Sequence, residues 1–282
     1  MQRISTLLHF LQLRKELQLV PYIPSVEAGE PRNVRLTIKQ AADLFKACNE
    51  PHLAMFLMLA FNTLARPSAL LELKRDQIDI ENRIIHLNPK GRKQTNKYRP
   101  SVPISDTLLP WVAAGANTNL IAYHGRAIKS VRRSFNVIRD RAGLGADISP
   151  YAIRHTMAIE IRKRGVPAWE LAGILGHKSS TFRTTENYAK YDPDHLGLAV
   201  RAIDDYFDEL KQREKLPLDP NSFGLRVSSV PAEDVVTIAE NQKPLDFSRG
   251  WSGGARRNRT DDLYNAIVMI IIIFVIAVIL II

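Results

Sequence analysis

The stretch SPYAIRHTMAIEIRKRGVPAWELAGILGHKSSTFRTTENYAKYD, Ser149 to Asp192, decides how the rest of the chain is read. Ser149 before Pro150 reads as a helix cap with proline at the first helical position. Ile153, Met157 and Ile161 recur every four residues and form one apolar stripe of an amphipathic helix. Tyr151, Arg154 and Ala158 fall on the neighbouring stripe, so Tyr151 and Arg154 can point at the same ligand. Gly165 ends this helix, and Pro167 starts another with Leu171, Ile174 and Leu175 as core positions. Gly176 closes the second helix in a C-terminal turn, which leaves His177 exposed just beyond it. Thr184 and Thr185 before Glu186 predict a third helix with Tyr188 near its first turn.

The residue types suit a phosphate. An arginine fork matches two phosphate oxygens at once, and a histidine can donate to the same oxygens. A tyrosine can attack the phosphorus to give a covalent ester. Taken singly, Arg154 reads as a surface charge, His177 as a helix-end residue and Tyr188 as a core aromatic. Their order and spacing make the joint reading the sharper one.

That order resembles the C-terminal boxes of the tyrosine recombinases, the phage-type integrases. Tyr151 to His155 matches the His-x-x-Arg-His box, Leu175-Gly176-His177 the Leu-Gly-His box, and Thr184 to Ala189 the motif around the nucleophile. Tyr151 stands where the first box has histidine, and Tyr191 is an alternative nucleophile to Tyr188. Upstream, Thr63 to Leu73 resembles the family's first box, Thr-Gly-x-Arg-x-Ser-Glu-Leu. Arg66 takes the place of its arginine, Leu64 that of the glycine and Ala69 that of the acidic residue. Read without the family, Arg66 is a lone charge closing an apolar helix, and a buried arginine there needs an anion or carboxylate partner. The family places a catalytic lysine in a β-hairpin connection, where Lys90 fits. Arg92, Lys93, Lys97 and Arg99 in the same basic segment are expected to contact DNA phosphates, which position a protein without reading sequence.

The resemblance implies a mainly α catalytic domain with a small three-stranded antiparallel sheet. It also implies a site-specific DNA recombinase that cleaves and rejoins DNA through a 3′-phosphotyrosyl link, integrating or excising a mobile element. The expected catalytic set is Arg66, Lys90, Tyr151, Arg154, His177 and Tyr188. No metal, nucleotide or other cofactor is expected. The expected partners are double-stranded DNA at an attachment site and further copies of the chain in a tetrameric synapse, in the bacterial cytoplasm. The alternatives are a catalytically impaired DNA-binding remnant, a type IB topoisomerase and a membrane-associated protein.

Composition agrees with a DNA partner. The 282 residues carry a formal net charge of +10, which favours nucleic acid or anionic surfaces. Cys48 is the only cysteine, so no internal disulfide can form. The seven histidines lie scattered, without metal-ligand spacing, and no Walker-type glycine loop is present.

Along the chain, Met1 to Val20 reads as one helix and, with a linker to Arg35, as the last part of a DNA-clamping domain (1–35). The catalytic domain is expected over 36–210. It opens with a helix from Thr37 to Cys48 and an apolar helix from His52 to Leu64. Gln77–Ile80, Ile84–Leu87 and Tyr98–Val102 read as strands. Helices are expected from Ser105 to Ala114, Arg126 to Ala142 and Pro193 to Leu210. Residues 211–265 read as disordered, with scattered proline, serine and charge. Residues 266–282 are seventeen apolar residues, a candidate membrane helix. The rival is read-through: Gly250 to Asn265 resembles the conceptual translation of a transfer-RNA gene, a frequent attachment site for integrating elements.

Overall fold

The computed structural model describes residues 2–21, 34–115, 118–177 and 196–225. The helix α3 (Pro51–Thr63) forms the centre, and every residue from Leu53 to Thr63 is buried. Around it pack α2 (Ile38–Lys46), α4 (Pro67–Leu71), α7 (Pro150–Lys163) and α9 (Gly197–Glu214). Such all-round apolarity is what a helix enclosed by other helices requires. Thr37 opens α2 with a capping box, its hydroxyl accepting from the Gln40 amide while the Gln40 side chain accepts from the Thr37 amide.

The expected three-stranded antiparallel sheet forms in the order β1 (Ile78–Asp79), β2 (Ile84–His86), β3 (Ser101–Pro103). Ile85 pairs with Ile78 on one side and with Val102 on the other. β3 begins three residues later than the sequence suggested. Pro100 has no N–H to give a ladder, and the Arg99 amide bonds to the Gln94 side chain instead.

Four further expectations need correction. The first helix, α1 (Gln2–Leu13), is shorter than Met1 to Val20, because Lys15 turns left-handed at φ 60° and the Glu16 amide folds back onto the Leu11 carbonyl. The helix from Arg126 to Ala142 is α6 (Arg132–Arg141) alone. Ahead of it, β4 (Ala122–Tyr123) and β5 (Arg126–Ala127) form a two-residue hairpin. His124 and Gly125 both take positive φ there, at 49° and 74°, as the tight turn demands. The helix after Ser105 starts only at Leu109 (α5, Leu109–Ala114), after a turn capped by the Ser105 hydroxyl.

Finally, order continues beyond Leu210. α9 runs to Glu214, and Leu216, Leu218, Phe223 and Leu225 pack against the core. The Trp111 indole donates to the Leu218 carbonyl at 3.3 Å. The disorder expected over 211–265 therefore does not hold for 211–225, and the remainder lies outside the described residues. So do residues 266–282; no described helix is long and apolar enough to cross a membrane.

Candidate active site

The start of α7 follows its sequence. Ser149 is extended, Pro150 takes the first helical position, and Ile153, Met157 and Ile161 are fully buried. Driving that stripe into the core carries the adjacent Arg154 inward, to 8% exposure. Its Nη1 donates to the Leu64 carbonyl, and Nη2 donates to the Leu175 carbonyl at 2.7 Å. Nη2 also lies 3.3 Å from His177 Nε2, which accepts when the ring is neutral with its proton on Nδ1.

Both carbonyls come from helix ends. Leu64 closes α3 in the left-handed region at φ 52°, so its carbonyl has no partner within the helix and turns toward Arg154. Leu175 ends α8 (Ala168–Leu175), which Gly176 closes at φ 64°. A Cβ on Gly176 would stand 2.7 Å from Pro100 Cδ and 2.9 Å from the Tyr98 carbonyl oxygen. Only glycine allows this approach. The same Tyr98 carbonyl accepts from Arg66 Nη1 at 3.0 Å.

Arg66, at the start of α4, is half-buried and close enough to Arg154 for mutual repulsion. Burial, with the charge of Arg66 adding to it, pushes Arg154 down to about 10. His177 is likewise lowered by burial first and then by Arg154 and Arg66, which favours the neutral ring. Among the described residues, neither Arg66 nor Arg154 meets a carboxylate. Ala69, in place of the acidic residue of the family's box, is buried and lines the small void beside both guanidinium groups. That void holds about 10 Å³, the space of a single water. Among the described residues the pair carries uncompensated positive charge, an arrangement that favours an anion.

Tyr151 is 48% exposed on the first turn of α7. It borders a cleft of about 540 Å³ with Pro67, Ser68, Lys129, Arg132 and Arg139. The cleft thus adjoins the start of α4, directly after Arg66, and its charged walls are mainly basic.

Other expected residues fall elsewhere. Lys90 is exposed and lines a separate recess with Asp76, Asp79, Glu81 and His86. It is not among the residues around the two arginines. Lys93 and Lys97 are exposed, whereas Arg92 donates back to Asn88 Oδ1 within the loop at 2.8 Å. Arg99 is a correction: it is 8% exposed and bonds Glu72 at 2.8 Å, so it braces the segment that holds Arg66 and is not a free phosphate ligand. Tyr188 and its alternative Tyr191 lie outside the described residues.

Sequence reading missed three groups. The carbonyls of Leu64 and Leu175 carry no side-chain signal. Glu170, buried at 1%, was visible as the only charged residue in the otherwise apolar α8.

A mainly helical domain with a small antiparallel sheet, in which two arginines and a histidine lie close together, points to a class. The chain belongs to the Phage integrase family, which matches residues 34–195. It is 25% identical to the tyrosine recombinase XerC of Chlamydia trachomatis serovar L2 over 202 residues, 63% of this chain and 62% of that protein. It is 34% identical to the tyrosine recombinase XerD of Mycobacterium tuberculosis over 143 residues, 47% of this chain and 45% of that protein. The chain therefore spans about three-fifths or less of the length of these relatives. Among solved structures, the integrase of the transposon Tn1549 in complex with circular intermediate DNA matches with a TM-score of 0.51 and 17% identity. That match covers 70% of this chain and 75% of the integrase, and it supports the fold. Among the described residues no cluster of potential metal ligands occurs.

Proposed function

We propose that the chain is a site-specific DNA recombinase that cuts and rejoins DNA through a 3′-phosphotyrosyl link, in the integration or excision of a mobile element. The observation that supports this reading is that Arg66, Arg154 and His177 lie together without a carboxylate partner among the described residues, an arrangement suited to a phosphate. In the reaction, the Tyr188 phenol loses its proton to solvent as its oxygen attacks the scissile phosphorus, and the bond to the 5′ oxygen breaks. Arg66 and Arg154 stabilise the charge that grows on the non-bridging oxygens, and His177 donates to the same group. Tyr151, at the cleft edge, assists that contact. Lys90 protonates the leaving 5′ oxygen, for which its loop has to swing from the acidic recess to the site. The 5′ hydroxyl of a second duplex then attacks the phosphotyrosine, so the bond energy is retained and no nucleotide is consumed.

Lys129, Arg132 and Arg139 around the cleft supply phosphate contacts to double-stranded DNA. We place four copies on two duplexes in the synapse, with the protein in the bacterial cytoplasm. The reading as an impaired remnant is weakened at one point. Leu64 keeps the left-handed conformation that glycine would take, and its carbonyl still holds Arg154.

The test is incubation with a nicked suicide substrate carrying the attachment site next to the gene. A denaturation-resistant protein–DNA adduct is expected, lost in Tyr188→Phe. An adduct unaffected by that change, or none from the unaltered protein, contradicts the reading.

A further inference from the structure

Glu170 is a buried acid that meets no counter-charge among the described residues, and it takes no part in the proposed reaction. Its Oε1 accepts from the Ala199 amide at 2.7 Å, and the Leu198 amide also feeds it. Leu198 and Ala199 lie in the first turn of α9, where amides have no partner inside the helix. The residue that precedes this helix, Leu196, is apolar and offers no side-chain cap. Glu170, from a different helix, caps it instead; burial raises the carboxyl above its ordinary value, and the two amides at the start of α9 partly offset that.

The placement matters because of what else α8 holds. Five residues past Glu170, the Leu175 carbonyl fixes Arg154, and the turn after it presents His177. The chain leaves α8 at His177, runs through residues 178–195, and returns to α8 where Glu170 holds Ala199. Tyr188 is in that excursion. A leucine at position 170 would fill a buried slot without desolvating a charge, so packing alone does not account for a carboxylate there.

We propose that Glu170 is a positioning residue: it ties the far end of the tyrosine-bearing segment to the same helix that sets Arg154 and His177. One rigid reference then fixes both the anion site and the return point of the nucleophile's segment. This inference rests on the reading of Tyr188 as the nucleophile.

The experiment measures two quantities on the suicide substrate, the rate of adduct formation and the Kd of the non-covalent complex, with melting temperature alongside. Hydrogen exchange at 196–200 is followed in the same proteins. In Glu170→Leu the adduct rate is expected to fall about thirty-fold or more while Kd stays within about threefold, since small misplacements of a reacting group are costly to chemistry and not to phosphate contacts. Exchange at Leu198 and Ala199 should accelerate. Glu170→Gln keeps an oxygen that accepts the same amides and should restore most of the rate. Should Glu170→Leu fail to fold, Glu170→Asp takes its place: the shorter side chain loses the reach, so its rate should fall below that of Glu170→Gln. Wild-type rates in the Leu or Asp variant overturn the role, as do losses of rate, Kd and melting temperature in equal proportion. An unaltered protein that makes no Tyr188-dependent adduct overturns the nucleophile assignment, and this role with it.

Discussion

Arg154 Nη2 donates to the backbone carbonyl of Leu175 at 2.7 Å, so the arginine of the His-x-x-Arg-His box is held by the helix that ends at the Leu-Gly-His box. Two residues 21 positions apart in sequence form one corner. Its other support is the Leu64 carbonyl, at the end of the central helix.

Leu64 pays a conformational cost for that support, about 1–2 kcal/mol for an L-residue in the left-handed region. Its side chain is also fully buried. Leu64→Ala loses the burial and keeps the strain, whereas Leu64→Gly loses the burial and relieves it. Leu64→Gly should therefore be at least as stable as Leu64→Ala in urea unfolding, the reverse of the order at an ordinary helical site, where Gly is worse by about 1 kcal/mol.

Gly176 sets the corner against the sheet. An alanine there would carry the same left-handed strain, about 1–2 kcal/mol, and clash with Pro100 and the Tyr98 carbonyl. We expect Gly176→Ala to lose about 2 kcal/mol or more in denaturant unfolding. Adduct yield should drop as well, because the displaced Tyr98 carbonyl is the one that holds Arg66.

His177 gives a pH signature. Burial and then the two arginines lower it from its ordinary 6.5, so in the free protein it titrates below that value and is neutral at pH 7. The unfolded chain takes up the proton first, so this group's contribution to stability is present above 6.5 and is lost as pH falls toward the folded value. Sulfate at the anion site would offset the arginine charges and raise the histidine toward or above its ordinary value. An NMR titration of the His177 ring with and without sulfate reads this shift; an unchanged midpoint would place the anion elsewhere.

The basic loop separates into two roles. Lys93→Ala or Lys97→Ala should lower the slope of log Kd against log salt by about 0.9 per phosphate contact removed. Arg99→Gln should leave the slope alone and destabilise the fold by about 1–2 kcal/mol, through loss of a charged hydrogen bond and of packing. Filter binding over a salt series and thermal unfolding distinguish them.

Much of this architecture was legible in the sequence, since the four-residue recurrence of Ile153, Met157 and Ile161 and the glycine stop at Gly176 are local effects. The hairpin at Tyr123–Arg126 was not, because the apolar period through Ile128, Val131, Phe135 and Ile138 follows it directly and invites extending the helix back over Arg126 and Ala127. Side-chain type and order singled out Arg66, Arg154 and His177, which the fold brings near one another. Arg99 was misread because charge on a loop does not tell whether a partner such as Glu72 waits across the fold. The carbonyls that orient the arginines depend on where helices end in space, and Glu170 on what lies opposite it. Neither is encoded by spacing along one segment.

We expect a phenol in the 178–195 segment to meet the scissile phosphate at the corner made by Arg66, Arg154 and His177. Protease digestion of the trapped adduct, followed by tandem mass spectrometry, tests it most directly. A nucleotide remnant is expected on Tyr188, with adduct yield reduced about a hundredfold or more in Arg154→Gln and in Arg66→Gln. A remnant on Tyr191 or any other residue, or yields indifferent to both arginines, would contradict it.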